Sequence, residues 1–233
     1  MEQCLQLKNG LKLFVESTEQ PSIVPWLLGS FASLKGNQNV LEFCAGNGAA
    51  SFWCVDNGFR GNILLLDQRA NALQLAEKTI DQNHLSAIKT ICSSVETFRS
   101  SEKFDCILCN PPFFSESFIS KDDDLRAIRH EGGLTLDELC MSSAMSLKQK
   151  GHFYLCHTPS RLSEIILSLD KNKFEIKGLR FCRHNSDAFP FLVLIDAVYQ
   201  GGKGIKVYPD LIVIDEEGKY TNEMNALFER NYL

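Results

Sequence analysis

Residues 104–113 read Phe104-Asp105-Cys106-Ile107-Leu108-Cys109-Asn110-Pro111-Pro112-Phe113, an apolar run that stops in Asn-Pro-Pro-aromatic. These residue types, in this order, suit chemistry on a planar amine. The lone pair of such an amine is delocalised into its ring, so the nitrogen is a poor nucleophile. The Asn110 side-chain oxygen and the Pro111 carbonyl are two acceptors at fixed spacing. Each can take one amine N–H, favour a more pyramidal nitrogen, and aim its lone pair at an electrophilic carbon. Pro111 restricts Asn110 to an extended conformation, and Pro112 does the same to Pro111. The prolines also remove two backbone donors, leaving carbonyl acceptors exposed. Phe113 supplies a face on which a base can stack. The candidate catalytic residues are therefore Asn110, Pro111, Pro112 and Phe113, with rate drawn from alignment and electrostatics rather than from a general base.

A second pair of features points to a nucleoside ligand. The apolar run Val40-Leu41-Glu42-Phe43 is followed by Cys44-Ala45-Gly46-Asn47-Gly48. A glycine turn between a strand and a helix lets the backbone approach a ligand closely. The next strand ends in Asp67, 21 residues after Gly46, where a carboxylate can accept hydrogen bonds from a ribose diol. A nicotinamide dinucleotide fits these two features as well as any other nucleoside. The Asn-Pro-Pro-Phe segment does not suit hydride transfer, and it decides between them.

Those residues have to be positioned by a sheet. Strand-like runs fall at Asn39–Phe43, Asn62–Leu66, Ile88–Cys92, Phe104–Cys109, Gly151–Cys156, Phe174–Phe181 and Phe191–Val198. Amphipathic stretches separate them. Leu73, Leu75, Ala76, Thr79 and Ile80 suit one helix face; Leu134, Leu136, Leu139, Met141, Ala144 and Leu147 suit another. Such alternation predicts an α/β fold, a three-layer doubly wound sheet of about seven strands joined by right-handed crossovers. The segment His184–Pro190 is too short for a crossover helix, so the last two strands should form an antiparallel hairpin. The sheet is then mostly parallel with one antiparallel strand. A helix is expected over Pro25–Leu34, an extended run at Leu211–Ile214, and a last helix from Asn222 capped by Thr221. No linker marks a boundary, so residues 1–233 read as a single domain, with segment 1–39 and extension 201–233 packed on the core.

With these elements in place, the sequence resembles the class I methyltransferases of the N-P-P-[FY] type that modify amino groups. The likeness covers residues 40–200 as a fold. Leu41–Gly48, the Arg129-His130-Glu131 segment ahead of Leu134-Thr135-Leu136, and Gly218-Lys219-Tyr220-Thr221 further resemble the N6-adenine methyltransferases that act on valine tRNA beside the anticodon. The resemblance implies S-adenosylmethionine as cofactor, held by Glu42, Cys44, Ala45, Gly46, Asn47, Gly48, Asp67, Gln68, Ser94, Val95 and Asn110. It implies tRNA or another RNA as partner. Phe113, Phe114, Arg126 and Arg129 would grip a base turned out of its stack, and Arg180 and Arg183, with Lys203 and Lys206, would track phosphates. The sequence departs from the pattern in three places. Cys44 replaces the first glycine of the turn, Ser94 stands where an acid often follows the third strand, and no aspartate can be placed in Pro21–Pro25. The departures bear on cofactor affinity more than on reaction type.

Composition bounds the rest. The absence of any run of roughly 18 apolar residues argues against a transmembrane helix, and the N-terminus lacks a secretory pattern, which together predict a cytoplasmic protein. Nine cysteines have no framework spacing. Cys44, Cys92, Cys106, Cys109, Cys156 and Cys182 lie in apolar runs and read as reduced, buried side chains. The single C-x-x-C, Cys106–Cys109, falls inside a strand, so no metal site is expected. Net charge is −5, but Lys171–Lys206 carries a local +4, leaving room for a basic face on an acidic body. Three other readings stay open at this point: an RNA guanine-N2 methyltransferase, a methyltransferase for protein glutamine, and a binding module of the same fold without turnover.

Overall fold

Burial explains why the run that precedes Asn110 forms a central strand. Phe104, Cys106, Ile107, Leu108 and Cys109 are all buried, and a strand covered on both faces reads as a nearly continuous apolar run. The computed structural model describes residues 2–16, 22–112 and 134–228. In chain order these contain β1 (Glu2–Gln6), β2 (Lys12–Glu16), α1 (Val24–Phe31), β3 (Asn39–Phe43), α2 (Ala49–Asp56), β4 (Asn62–Asp67), α3 (Ala70–Gln82), β5 (Ile88–Cys92) and β6 (Phe104–Cys109). They continue with α4 (Leu136–Ser146), β7 (Leu147–His157), α5 (Leu162–Lys171), β8 (Phe174–Arg183), β9 (Leu192–Tyr199), β10 (Lys206–Val207), β11 (Leu211–Ile212) and α6 (Asn222–Phe228).

The main sheet runs β5-β4-β3-β6-β7-β9-β8, with β10 and β11 both pairing along the outer side of β8. β9 is antiparallel to β7 and to β8, and the other pairs are parallel. The antiparallel strand expected from the short His184–Pro190 connection is thus present. It is inserted between two parallel strands, not added at an edge. One face of the sheet carries Leu27, Leu28, Phe52, Leu73 and Ala76 from α1, α2 and α3. The opposite face carries Leu136, Leu139, Cys140, Ile165 and Leu169 from α4 and α5. This is the three-layer α/β arrangement that the alternation predicted.

Several local expectations are corrected. The first helix ends at Phe31, three residues early. Met141 is 45% exposed, and the buried side of α4 is Leu136, Leu139, Cys140, Ser142, Ser143 and Ser146. Leu147 is the first residue of β7 and not the end of a helix. Cys92 is exposed and Cys44 half-buried, whereas Cys106, Cys109, Cys156 and Cys182 are buried. Cys106 and Cys109 belong to the cores on opposite faces, as an odd separation along a strand requires. They cannot ligate one ion together. Among the described residues no helix is long and apolar enough to cross a membrane.

The β1–β2 hairpin was not anticipated. Its signal is Asn9-Gly10, with Gly10 at φ 107°, between runs that alternate Leu5, Leu7 and Leu11, Leu13, Val15. The hairpin is fastened from outside. Asp56, at the end of α2, accepts from Asn9 N at 2.8 Å and from Leu11 N at 3.0 Å. On α3, Thr79 Oγ1 accepts from Phe14 N at 3.1 Å, and Asn83 exchanges two bonds with Lys12. The far end is tied as well: Arg180 pairs with Glu223 at 2.7 Å and Arg183 with Asp210 at 2.6 Å, both bridging β8 to the C-terminal extension. Thr221 Oγ1 accepts from Met224 N at 3.3 Å, the cap expected for α6.

Replacing Asp56 with alanine leaves two turn N–H groups without their charged acceptor. The variant should lose about 1–2 kcal/mol of stability in urea titration while keeping its far-ultraviolet dichroism. A midpoint equal to that of the unmodified protein would show that the turn does not need the carboxylate.

Candidate active site

The chain leaves β3 in one direction through β4 and β5 and returns on its other side through β6 and β7. The strand order therefore reverses between β3 and β6, and a crevice opens outside their carboxyl ends, where open α/β sheets bind ligands. A cavity of about 710 Å³ lies there. That volume falls within the range of small-molecule sites. Its lining includes Glu42 near the end of β3 and Cys44, Ala45, Gly46 and Asn47 after it, Asp67 at the end of β4 and Gln68 after it, Ser94 and Val95 after β5, and Asn110, Pro111 and Pro112 after β6. Four loops separated in sequence thus meet at one place.

The glycine turn is held on three sides. Ala45 N donates to Leu66 O at 2.9 Å, Gly48 N to Ala45 O at 2.8 Å, and Gly46 N to Asp67 Oδ2 at 2.7 Å. Cys44, Gly46 and Gly48 have φ of 54°, 57° and 78°. Cys44 thus adopts the left-handed conformation that the absent glycine would take freely, at a cost of roughly 1–2 kcal/mol. Gly48 is not among the cavity-lining residues. A Cβ there would come within 2.7 Å of Phe52 and 2.8 Å of Leu65, so this glycine is required for packing α2 onto β4. Asn47 lines the cavity and also donates to Phe14 O at 3.0 Å, joining the turn to the N-terminal hairpin.

Asp67 is buried. Its Oδ1 accepts from Arg69 N at 2.8 Å and Arg69 Nε at 3.3 Å. Arg69 was not singled out in the sequence, although Asp67-x-Arg69 is a local ion-pair spacing. Glu42 is 2% exposed and accepts from Ser51 N at 3.1 Å in the first turn of α2. This places a carboxyl at a helix N-terminus, where negative charge is favoured. Burial nevertheless pushes its pKa up to about 7, with the Asp67 charge adding a small push the same way.

The wall opposite the strand ends comes from the N-terminal segment: Leu13, Val15, Ser22, Val24, Pro25 and Trp26. Ser22–Pro25 is where no aspartate could be placed, and it reaches the cavity with a hydroxyl and apolar groups instead. On the other flank, Pro111 and Pro112 meet His157 and Arg161 around a small second cavity. His157 Nδ1 accepts from Thr158 N at 2.8 Å, which puts the proton of the neutral ring on Nε2. Burial, helped by the Arg161 guanidinium, lowers its pKa to about 4. The imidazole is neutral near pH 7 and offers a donor, not a base, through Nε2.

Of the remaining candidates, Phe113, Phe114, Arg126 and Arg129 lie outside the described residues, as do His130 and Glu131. Arg180 and Arg183 are described, and the structure does not bring them to the cavity lining. Their guanidinium groups are engaged with Glu223 and Asp210, so their first role is to fasten the extension. Which cations are spent this way cannot be read from composition.

The family model of the methyltransferase small domain matches residues 26–159, from the cavity's N-terminal wall to just past β7. The chain belongs to the methyltransferase small domain family. Within it, the chain is 27% identical over 143 residues to a tRNA1(Val) (adenine(37)-N6)-methyltransferase of Pseudoalteromonas translucida, covering 61% of each chain. The match thus spans less than two thirds of that relative's length. It is 29% identical over 198 residues to a protein of the same name from a Flavobacteriaceae bacterium, covering 84% of each. The crystal structure of a predicted O-methyltransferase from Agrobacterium tumefaciens shares the fold, with a TM-score of 0.67 at 15% identity, over 89% of this chain and 99% of that one.

The buried Glu42 gives the protein a testable pH signature. Its folded pKa stands above the unfolded value of 4.5, so its contribution to stability is full below about pH 4.5 and is lost as pH rises through about 7. Over that window the loss amounts to roughly 3 kcal/mol. The Glu42→Gln variant should match the parent in thermal stability near about pH 5 and exceed it near about pH 8. An offset that is the same at both pH values would show that Glu42 is ionised throughout.

Proposed function

We propose that this chain transfers a methyl group from S-adenosylmethionine to the exocyclic N6 of an adenine in tRNA, acting as one unit over residues 1–233 in the cytoplasm. The observation that carries the reading is the meeting of Asn110-Pro111-Pro112 with the glycine turn and Asp67 around one cavity. The names of the tRNA1(Val) relatives support adenine and tRNA over the other acceptors.

The cavity fits a nucleoside cofactor. It is large enough, its floor is a turn with three left-handed residues, and two buried carboxyl groups edge it. Asp67 Oδ2 already accepts from Gly46 N and Oδ1 from Arg69 N and Nε. The one remaining Oδ2 lone pair would take a ribose hydroxyl, and a second would need the Oδ1 position that the largely exposed Arg69 side chain holds at 3.3 Å. Glu42 would face a cationic group, whose approach would pull its proton off. Gln68, Ser94 and Val95 would line the base, with Ser94 offering a hydroxyl where a carboxylate is more usual. When bound, the cofactor supplies a methyl group on a positively charged sulfur.

The chain's own residues would do the rest. Asn110 Oδ1 and Pro111 O accept the two N–H groups of the amine. They turn its lone pair out of conjugation and hold it in line, and proximity of this kind is worth several orders of magnitude in rate. Phe113 would stack on the base. Positive charge builds on nitrogen as the new N–C bond forms, so the proton becomes acidic only late and can leave to water. His157, with Nδ1 already accepting and its pKa held down, is not needed as a base.

Two measurements test this. Labelled methyl from S-adenosylmethionine should enter unmodified tRNA and be recovered as N6-methyladenosine after digestion. Recovery as N2-methylguanosine would keep the mechanism and change the base. Label in protein alone would overturn the substrate assignment. Asn110→Ala should lower turnover by about a hundredfold or more while calorimetry shows nearly unchanged binding of S-adenosylhomocysteine. Near-normal turnover in that variant would sink the role given to Asn110.

A further inference from the structure

Asn110 does not stand alone at the end of β6. In the sheet register Cys109 faces Leu155 of β7, so the next residues along, Asn110 and Cys156, stand side by side. Cys156 Sγ lies 3.1 Å from Asn110 Oδ1 and 3.8 Å from Cys109 O. The thiol is fully buried, in the core under the cavity. Burial raises its pKa well above the ordinary thiol range, so the sulfur keeps its proton and has one hydrogen to donate.

The amide oxygen has two lone-pair directions. A donor reaching it from within the sheet occupies one and leaves the other for the cavity. It also distinguishes the two ends of the amide. With the oxygen toward the sulfur, the S–H is satisfied and the acceptor stays where an amine would arrive. Without the thiol, nothing at that contact separates the oxygen from the nitrogen end, and a flipped amide would meet an incoming N–H with a donor. A thiol is a weak donor, so it orients the oxygen while withdrawing little of its electron density.

We propose that Cys156 is a positioning residue for methyl transfer: its buried thiol donates to Asn110 Oδ1 and holds the amide with one lone pair aimed into the cavity. This rests on the reading of Asn110 as the acceptor of the amine. Cys156 itself touches no reacting atom. It acts through Asn110, and it belongs to turnover and not to cofactor affinity.

The test compares Cys156→Ala, Cys156→Ser and Cys182→Ala. Cys182 is also fully buried, in the same core, and serves as a control for loss of a packed sulfur. Cys156→Ala should lower kcat about tenfold with KM for S-adenosylmethionine unchanged. Cys156→Ser should recover most of that loss, and Cys182→Ala should keep kcat. A second readout needs no substrate. In nitrogen-labelled protein, the Asn110 side-chain amide signals, identified by their disappearance in Asn110→Ala, should shift in Cys156→Ala and stay close to the parent positions in Cys156→Ser. Unmoved amide signals in Cys156→Ala, or equal losses of kcat in Cys156→Ala and Cys182→Ala, would overturn the proposal. If the unmodified protein methylates no substrate, the proposed function fails, and the amide signals still decide whether Cys156 orients Asn110.

Discussion

A parallel strand that is flanked by strands reached in opposite chain directions cannot have its carboxyl end covered by its own crossovers. β3 is in that position. The connection to β4 passes over one face and the return to β6 over the other, so the turns after β3 and β6 diverge and a gap stays open between them. The site's other features follow from that gap. The glycine turn lies at its floor, Asp67 closes one side from β4, and Asn110 enters from β6. The hydrogen bond from Gly46 N to Asp67 Oδ2 spans the two turns at 2.7 Å and keeps the floor at one height. The sheet's twist and packing set the distance between these groups, and a chemistry that depends on alignment needs them set by rigid strands and not by loops.

Local strain is tolerated because it is over-determined. Cys44 bears a side chain in a conformation that favours glycine, yet the turn around it is fixed by backbone bonds from Ala45 and Gly48 and by the Asp67 carboxylate. Strain of this size persists where the surroundings leave no alternative. The absence of the first glycine therefore does not dissolve the turn. Glu42 repeats the theme in electrostatic terms. A carboxyl that burial keeps about half protonated near pH 7 is a cost to the unliganded protein and a reserve of attraction for any cation placed beside it. Fold stability and ligand affinity draw on the same buried group in opposite senses.

The strands and the residues that meet at the cavity were legible in the sequence for a shared reason. Central strands must be apolar throughout, and the turns that leave them must carry Gly, Asp or Asn-Pro-Pro at the carboxyl end, so position and chemistry appear in one local pattern. Where the determinants are distant, local pattern fails. The β1–β2 hairpin depends on Thr79 and Asn83, more than sixty residues on, and Asn9-Gly10 alone does not say what it packs against. Met141 fits an apolar stripe read from Leu134 to Leu147, but the helix stops at Ser146 and its buried side includes serines. Ser143 gives its hydroxyl proton to Leu139 O at 2.8 Å, and that bond is why a polar residue is acceptable there. The contact between Cys156 and Asn110 is invisible in sequence because it arises from strand register, not spacing.

Charge shows the same limit with a consequence for how an RNA would be held. The local excess of cations over Lys171–Lys206 suggested a phosphate track. In the folded protein Arg180, Arg183 and Lys171 each face a carboxylate, whereas Lys177 donates to the carbonyls of Gly202 and Gly204 and Lys206 lies over the Tyr208 ring, so only part of the stretch is neutralised by its own chain. A cation already neutralised by its own chain releases few counterions when a phosphate approaches, and nonspecific affinity for nucleic acid grows with the number released. At the cavity itself the lining carries the carboxyl groups of Glu42 and Asp67 together with Asn110 and Pro111. Under the proposed function, such a site would hold its substrate by the shape and hydrogen bonding of one base drawn out of its stack, with selectivity set at the reacting amine. On that reading Asn110, which lines the cavity, meets the amine, and the orientation of a single amide would then matter more than the net charge of the surface around it.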